Sequence, residues 1–148
     1  MFTVGYAYRR RLPHFQKEGR TYFVTFNAFN RWTLPSLARD IVLNHIKFDH
    51  QRRIWISIAL VMPDHVHLIG TPIDSALHRI LKGLKGSSAR SVNKALDRRG
   101  PVWQDESFDH ELRRDESLVQ KGEYIAMNPV RRGLVEKPEE YRWLWIPE

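Results

Sequence analysis

Val61-Met62-Pro63-Asp64-His65-Val66-His67-Leu68-Ile69 sets the frame for the rest of this chain. It is an apolar run interrupted by two histidines set two apart. In a β-strand alternate side chains share a face. His65 and His67 therefore project together, and Val66 and Leu68 point into a core behind them. Pro63 is tolerated at a strand start, where its missing N–H removes little. Two imidazoles side by side on a stiff strand make half of a metal site.

Immediately before it, Ile54 to Val61 reads as a strongly apolar strand. Met62 to Asp64 is short enough for a tight connection, so the two strands form either a hairpin or one long bent strand. Tyr22 to Phe29 alternates and reads as a first strand. Tyr22, Val24, Phe26 and Ala28 make one row; Phe23, Thr25, Asn27 and Phe29 make the other. Aromatics on both rows indicate one face on the core and one used for something else. Residues 36 to 52 fit an amphipathic helix with Leu37, Ile41, Asn44, His45 and Phe48 as its stripe and Ser36 as its cap. His45 and His50 are expected to face solvent.

Residues 75 to 98 form a long helical pattern, with Leu77, Ile80, Leu81, Leu84, Ser88, Val92 and Leu96 as the buried stripe. Gly83 and Gly86 each weaken a helix by roughly 1 kcal/mol relative to Ala, which leaves a kink or a break open. Val102 to Gln104 leads to a last strand over Ser107 to Leu112. Asp115 and Glu116 place acids in the first turn of a third helix, where the dipole favours them. Pro129 is expected to stop it. Tyr141, Trp143 and Trp145 in the tail are expected to pack back on the domain. Residues 1–148 read as one domain, with a basic N-terminal arm over about 1–20 and a short tail over about 130–148.

The formal net charge of +7 favours a polyanionic partner. Candidate phosphate contacts are Arg9, Arg10 and Arg11 in an arm that also carries aromatics, and Lys82, Lys85 and Arg90 in the glycine-interrupted helix. With no cysteine there is neither a disulfide framework nor thiolate chemistry, which fits a reducing, cytoplasmic setting. No apolar run approaches the roughly 20 residues that span a bilayer.

Tyr124 and Asn128 are four apart on the third helix and so share a face. If that face meets the histidine strand, two imidazole nitrogens and an amide oxygen converge. Such a sulfur-free set suits Mg²⁺ or Mn²⁺ better than a structural zinc. Tyr124 is then placed to attack a phosphodiester. Taken alone, an Asn before Pro is also an ordinary helix terminator, and a lone Tyr at a helix end is most often structural.

The strings Val61 to Ile69, Ser75 to Ala89, Val102-Trp103-Gln104, Tyr124-Ile125-Ala126-Met127-Asn128-Pro129-Val130-Arg131-Arg132-Gly133-Leu134-Val135 and Pro138 to Trp143 together resemble the single-tyrosine, HUH-type transposase family that acts on single-stranded DNA. Within it the resemblance is to the REP-associated tyrosine transposases, over about residues 14 to 143. Ala126 and Met127 are less polar than is usual there. The resemblance implies an α+β fold: a ferredoxin-like β-α-β-β-α-β antiparallel sheet plus a further helix carrying the catalytic tyrosine. It places the metal ligands on His65, His67 and Asn128 and the nucleophile on Tyr124. Arg131 and Arg132 join the candidate DNA contacts.

The implied activity is a metal-dependent, site-specific single-stranded DNA endonuclease and strand transferase acting at hairpin repeats. It would work through a covalent 5′-phosphotyrosine, in a monomer or a homodimer. Two other classes compete. One is a non-catalytic module that binds DNA or RNA hairpins, since sheets of this kind also bind single strands. The other is a metal-dependent hydrolase using water, which would cut without a protein–DNA adduct.

Overall fold

A computed structural model describes residues 19–113 and 116–148. Arg9, Arg10, Arg11 and Asp115 lie outside the described residues. In chain order the elements are β1 (Thr21–Ala28), a 3₁₀ turn (Phe29–Arg31), α1 (Ser36–Asp49), β2 (Ile54–Val61), β3 (His65–Pro72), α2 (Leu77–Leu96), β4 (Trp103–Leu112), α3 (Glu116–Arg131), a second 3₁₀ turn (Pro138–Glu140) and β5 (Leu144–Trp145). The sheet runs β4-β1-β3-β2-β5 with every pairing antiparallel. Its first four strands with α1 and α2 make the expected β-α-β-β-α-β core, and α3 is the additional helix.

Strand alternation divides the interior in two. Val24, Phe26, Val66 and Leu68 face α1 and α2. Phe23, Ile58, Leu60 and Ile69 point the other way and pack with Leu118, Ile125 and Ala126 of α3. Both faces of the central strands are therefore covered, which is why β2 and β3 read as nearly continuous apolar runs. Gly70 marks a close approach on this inner region: a Cβ there would lie 2.7 Å from the Cδ1 of Ile54.

β2 and β3 form a hairpin, with Val61 opposite Val66. Three backbone bonds hold its turn: Met62 N–H to His65 O (2.8 Å), Ala28 N–H to Asp64 O (2.9 Å) and Leu34 N–H to Pro63 O (2.7 Å). The turn is thus fixed to the end of β1 as well as to its own strand.

Several sequence expectations shift. The buried row of α1 is Ala38, Val42, Leu43 and Ile46, whereas Leu37 and Phe48 are exposed. Apolar residues cover a wide arc of this helix, and the smaller Ala38–Val42 row lets it sit close to the sheet. Ser36 is the first helical residue rather than the cap; Pro35 occupies that position and makes no side-chain capping bond. His45 is hydrogen-bonded to Ser91 Oγ (2.9 Å), and His50 Nδ1 accepts the Ile56 N–H (2.9 Å), so neither ring simply faces solvent.

α2 runs unbroken through Gly83 and Gly86, held by the stripe of Ile80, Leu81, Leu84, Ser88 and Val92. β4 begins at Trp103, earlier than the Ser107 start expected. α3 continues past Pro129 to Arg131. Its chain reverses only at Gly133 (φ +74°), after Arg132 N–H bonds Asn128 O and Leu134 N–H bonds Pro129 O. A proline removes one helical donor, and burial of Ile125 and Ala126 against the sheet outweighs that loss.

The tail packs back as expected. Tyr141 Oη donates to Val61 O (2.7 Å), and Trp143 Nε1 donates to Asp40 Oδ1 (2.8 Å). Leu144 and Trp145 pair with Leu60 and Ala59.

Candidate active site

The histidines stand where alternation put them, on the α3 face of β3, with ring centroids 4.7 Å apart and both side chains buried. Neighbouring residues orient each ring through Nδ1. His65 Nδ1 lies 2.8 Å from Asp64 Oδ1, and His67 Nδ1 lies 2.7 Å from Thr25 Oγ1 on the adjoining strand. When Nδ1 carries the proton in these bonds, Nε2 keeps the lone pair a metal ion needs. Phe23 stacks on the His67 ring at 5.6 Å and fixes it from the side.

The electrostatics favour the neutral form of both rings. Burial pushes His67 down to about 3, and His65, Arg131 and Arg132 add to the effect. Burial also lowers His65, although its hydrogen bond and charge interaction with Asp64 offset part of that. For Asp64 itself burial raises the pKa, but the His65 hydrogen bond and the Arg31 charge outweigh it and leave the carboxyl below its usual range. Arg31 Nε sits 3.2 Å from Asp64 Oδ2.

α3 lies across β2 and β3 and brings Tyr124 to the histidines. The Tyr124 ring is 6.3 Å from that of His67 and is 47% exposed. Its neighbours are cationic. The Arg131 guanidinium is 4.2 Å from the ring centroid and donates to Tyr124 O (2.7 Å), and Lys121 Nζ is 5.9 Å from the ring. Asn128, one turn after Tyr124, is buried.

These side chains carry nitrogen and oxygen donors of the kind a divalent ion takes. Among the described residues no group of three His, Cys, Asp or Glu side chains could hold a metal. The further donor expected on α3, one turn after Tyr124, is neutral: the buried amide of Asn128, which carries an oxygen. Two neutral imidazoles and an amide oxygen carry no net charge, so a dication held there keeps its full charge for a phosphate.

Not all candidate residues gather here. His65, His67 and Tyr124 come together, and Arg131 and Arg132 act on the histidines electrostatically. Lys82, Lys85 and Arg90 are on α2, across the sheet. Lys85 Nζ is tied to Asp105 O (2.9 Å) and Ser107 Oγ (3.0 Å) of β4, beside a cleft of about 520 Å³ that Lys82 also lines. Burial lowers the Lys85 pKa, with Asp105 partly compensating. Arg90 is exposed and close enough to His45 to lower its pKa.

Sequence reasoning missed Thr25, Asp64, Phe23 and Lys121 as parts of this site. The one available signal was the Phe23–Thr25–Asn27 row of β1, a partly polar row flanked by aromatics on an otherwise apolar strand.

Comparison with known proteins bears on the family and the fold. The family described as "Transposase IS200 like" matches residues 40–128, more than half of the chain. A REP-associated tyrosine transposase of Escherichia coli (strain K12) is 26% identical over 131 residues, covering 84% of this chain and 74% of that protein. Among solved structures, a REP-associated tyrosine transposase bound to a REP hairpin superposes with a TM-score of 0.69 at 24% identity, over 86% of this chain and 76% of that one. A putative transposase from Deinococcus radiodurans R1 superposes with a TM-score of 0.51 at 20% identity, over 74% and 92%. The two structures share this fold, and the chain belongs to the IS200-like transposase family, with REP-associated tyrosine transposases among its relatives.

Proposed function

We propose that this transposase-family protein is a metal-dependent, site-specific endonuclease and strand transferase for single-stranded DNA at hairpin repeats, with Tyr124 as nucleophile. The observation that carries the reading is Tyr124, half-exposed, beside the buried His65–His67 pair of its own chain. That proximity supports an active site completed within one protomer. The REP hairpin bound by the solved relative supports hairpin DNA as the partner.

His65 Nε2, His67 Nε2 and the Asn128 amide oxygen would hold the cofactor, Mg²⁺ or Mn²⁺. When bound there, the ion polarises a non-bridging phosphate oxygen and stabilises the charge that develops on it. Asp64 and Thr25 hold the imidazoles in the ligating tautomer. Tyr124 Oη forms a bond to the scissile phosphorus while the bond to the 3′-oxygen breaks. The phenol loses its proton, and the departing oxygen gains one to become a free 3′-OH. The 5′-phosphate stays esterified to Tyr124. The ester keeps the phosphodiester energy, so a 3′-OH can later attack it, release the phenol and join strands without a nucleotide cofactor. Lys121 and Arg131, both beside the Tyr124 ring, hold the phosphate in reach of Oη. Arg132, Lys82, Lys85, Arg90 and the Arg9–Arg11 arm are the further candidate DNA contacts.

The test uses labelled hairpin oligonucleotides with single-stranded flanks, copied from repeats beside the gene and incubated with Mn²⁺. Wild-type protein is expected to give an adduct on a denaturing gel, and Tyr124→Phe none while still binding the hairpin. Cleavage without an adduct would instead fit a hydrolase, and binding without cleavage a non-catalytic module.

A further inference from the structure

Phe108 is 61% exposed, more than any other large hydrophobic residue among the described residues. It lies mid-strand in β4, where a phenyl ring in water has no structural use. The sheet register gives its position. Phe108 is opposite Thr25 of β1, and Thr25 is opposite His67 of β3. Cross-strand partners share a face, so Phe108, Thr25 and His67 form one row on the α3 side of the sheet. With strands ~4.8 Å apart, Phe108 is roughly 10 Å from His67 along this row.

α3 packs over β2, β3 and the Phe23 position of β1, and among the described residues nothing buries Phe108 at the other end of the row. Alternation also sorts the charges of β4. Asp109 and Glu111 are opposite Val24 and Tyr22 and turn to the far face, where Asp109 lines the cleft against α2. Phe108 and His110 turn to the near face, beside Phe23, Lys121 and Tyr124. The near face thus combines aromatic rings with the Lys121 ammonium; Asp109 and Glu111 are turned from it, and Glu106, two residues before Phe108, is the one acid of β4 that alternation leaves beside the ring.

We propose that the β4–β1 half of this face is a stacking platform for an unpaired base of the DNA strand, with Phe108 as its contact, next to the phosphate held at Tyr124. Base–aromatic stacking tolerates any base, and nearby cations serve the backbone. The platform's position rests on the proposed active site, because the row runs from Phe108 to His67, a metal ligand in that proposal. It makes Phe108 a determinant of single-strand engagement rather than of catalysis.

The experiment measures binding in the Tyr124→Phe background, where no strand is cut, by anisotropy of two labelled DNAs. One is a hairpin with an oligothymidine flank and the other is the same hairpin without it. Phe108→Ala is expected to weaken the flanked hairpin roughly 5- to 100-fold, the range of one lost stack, and to leave the blunt hairpin unchanged. Phe108→Tyr should bind both as the parent does. Equal affinities of the parent for both DNAs, an unchanged flanked hairpin in Phe108→Ala, or equal losses on both would overturn the platform. The wild-type adduct assay reads the chemistry separately, so a platform without cleavage and cleavage without a platform are distinct results.

Discussion

Thr25 Oγ1 lies 2.7 Å from His67 Nδ1, and Asp64 Oδ1 lies 2.8 Å from His65 Nδ1. These two contacts decide which nitrogen of each ring is left for a metal ion. Removing such an orienting partner commonly lowers metal affinity about 10- to 100-fold. Thr25→Val keeps the shape of the side chain and its place in β1 and loses only the hydroxyl. Mn²⁺ titration by calorimetry is expected to show a loss of roughly 10-fold or more, with the fold unchanged by circular dichroism. Wild-type affinity in that variant would detach Thr25 from the site. The histidine pair was legible in the sequence because the strand period is two and their neighbours are apolar. Thr25 was not, because the register that brings it to His67 joins residues far apart in the chain, and no local pattern encodes that pairing.

Among the elements, the tail is what fastens β2 near the site. Tyr141 Oη donates to Val61 O, and Val61 N–H donates to Trp143 O (3.0 Å), at the last residue before the turn that carries Asp64. Trp143 and Arg142 are in turn held by Asp40 of α1. Tyr141→Phe would leave a buried carbonyl without its donor, which costs about 1–3 kcal/mol. Urea unfolding should show that loss with an unchanged slope; a loss below 0.5 kcal/mol would mean water replaces the bond. Tail packing was foreseeable from three aromatics in a short segment. The face of α1 was not: Leu37, Ile41 and Phe48 made a plausible stripe, but the sheet takes Ala38, Val42 and Ile46. An apolar arc wider than one stripe leaves the choice to close packing. Pro129 misled in the same way, since tertiary burial of α3 carries the helix through it.

For the molecule as a whole, burial lowers the pKa of His45, His50, His65 and His67, the last to about 3. The unfolded chain therefore binds more protons than the folded one once pH drops below about 6.5. This stability is fully present above that value and is lost as pH falls toward the folded-state pKa values. Asp49 has the opposite sign, because burial raises its pKa, but it acts nearer the carboxylate range. In EDTA, Tm should fall by roughly 5 °C or more between pH 7.5 and 5; a flat or rising Tm would contradict the burial of these rings. Fold class was the most legible level, because the order of periodic segments already matched β-α-β-β-α-β. The open half of the α3 face was not legible, since Phe108 in the sequence looks like any strand aromatic. The claim at the centre is that Tyr124, beside His65 and His67, becomes covalently joined to DNA. The direct measurement is mass spectrometry of the protein after reaction with a flanked hairpin and Mn²⁺, followed by nuclease trimming and proteolysis. A 5′-phosphonucleotide on the peptide containing Tyr124 is the predicted result, and one attached to any other residue would contradict it.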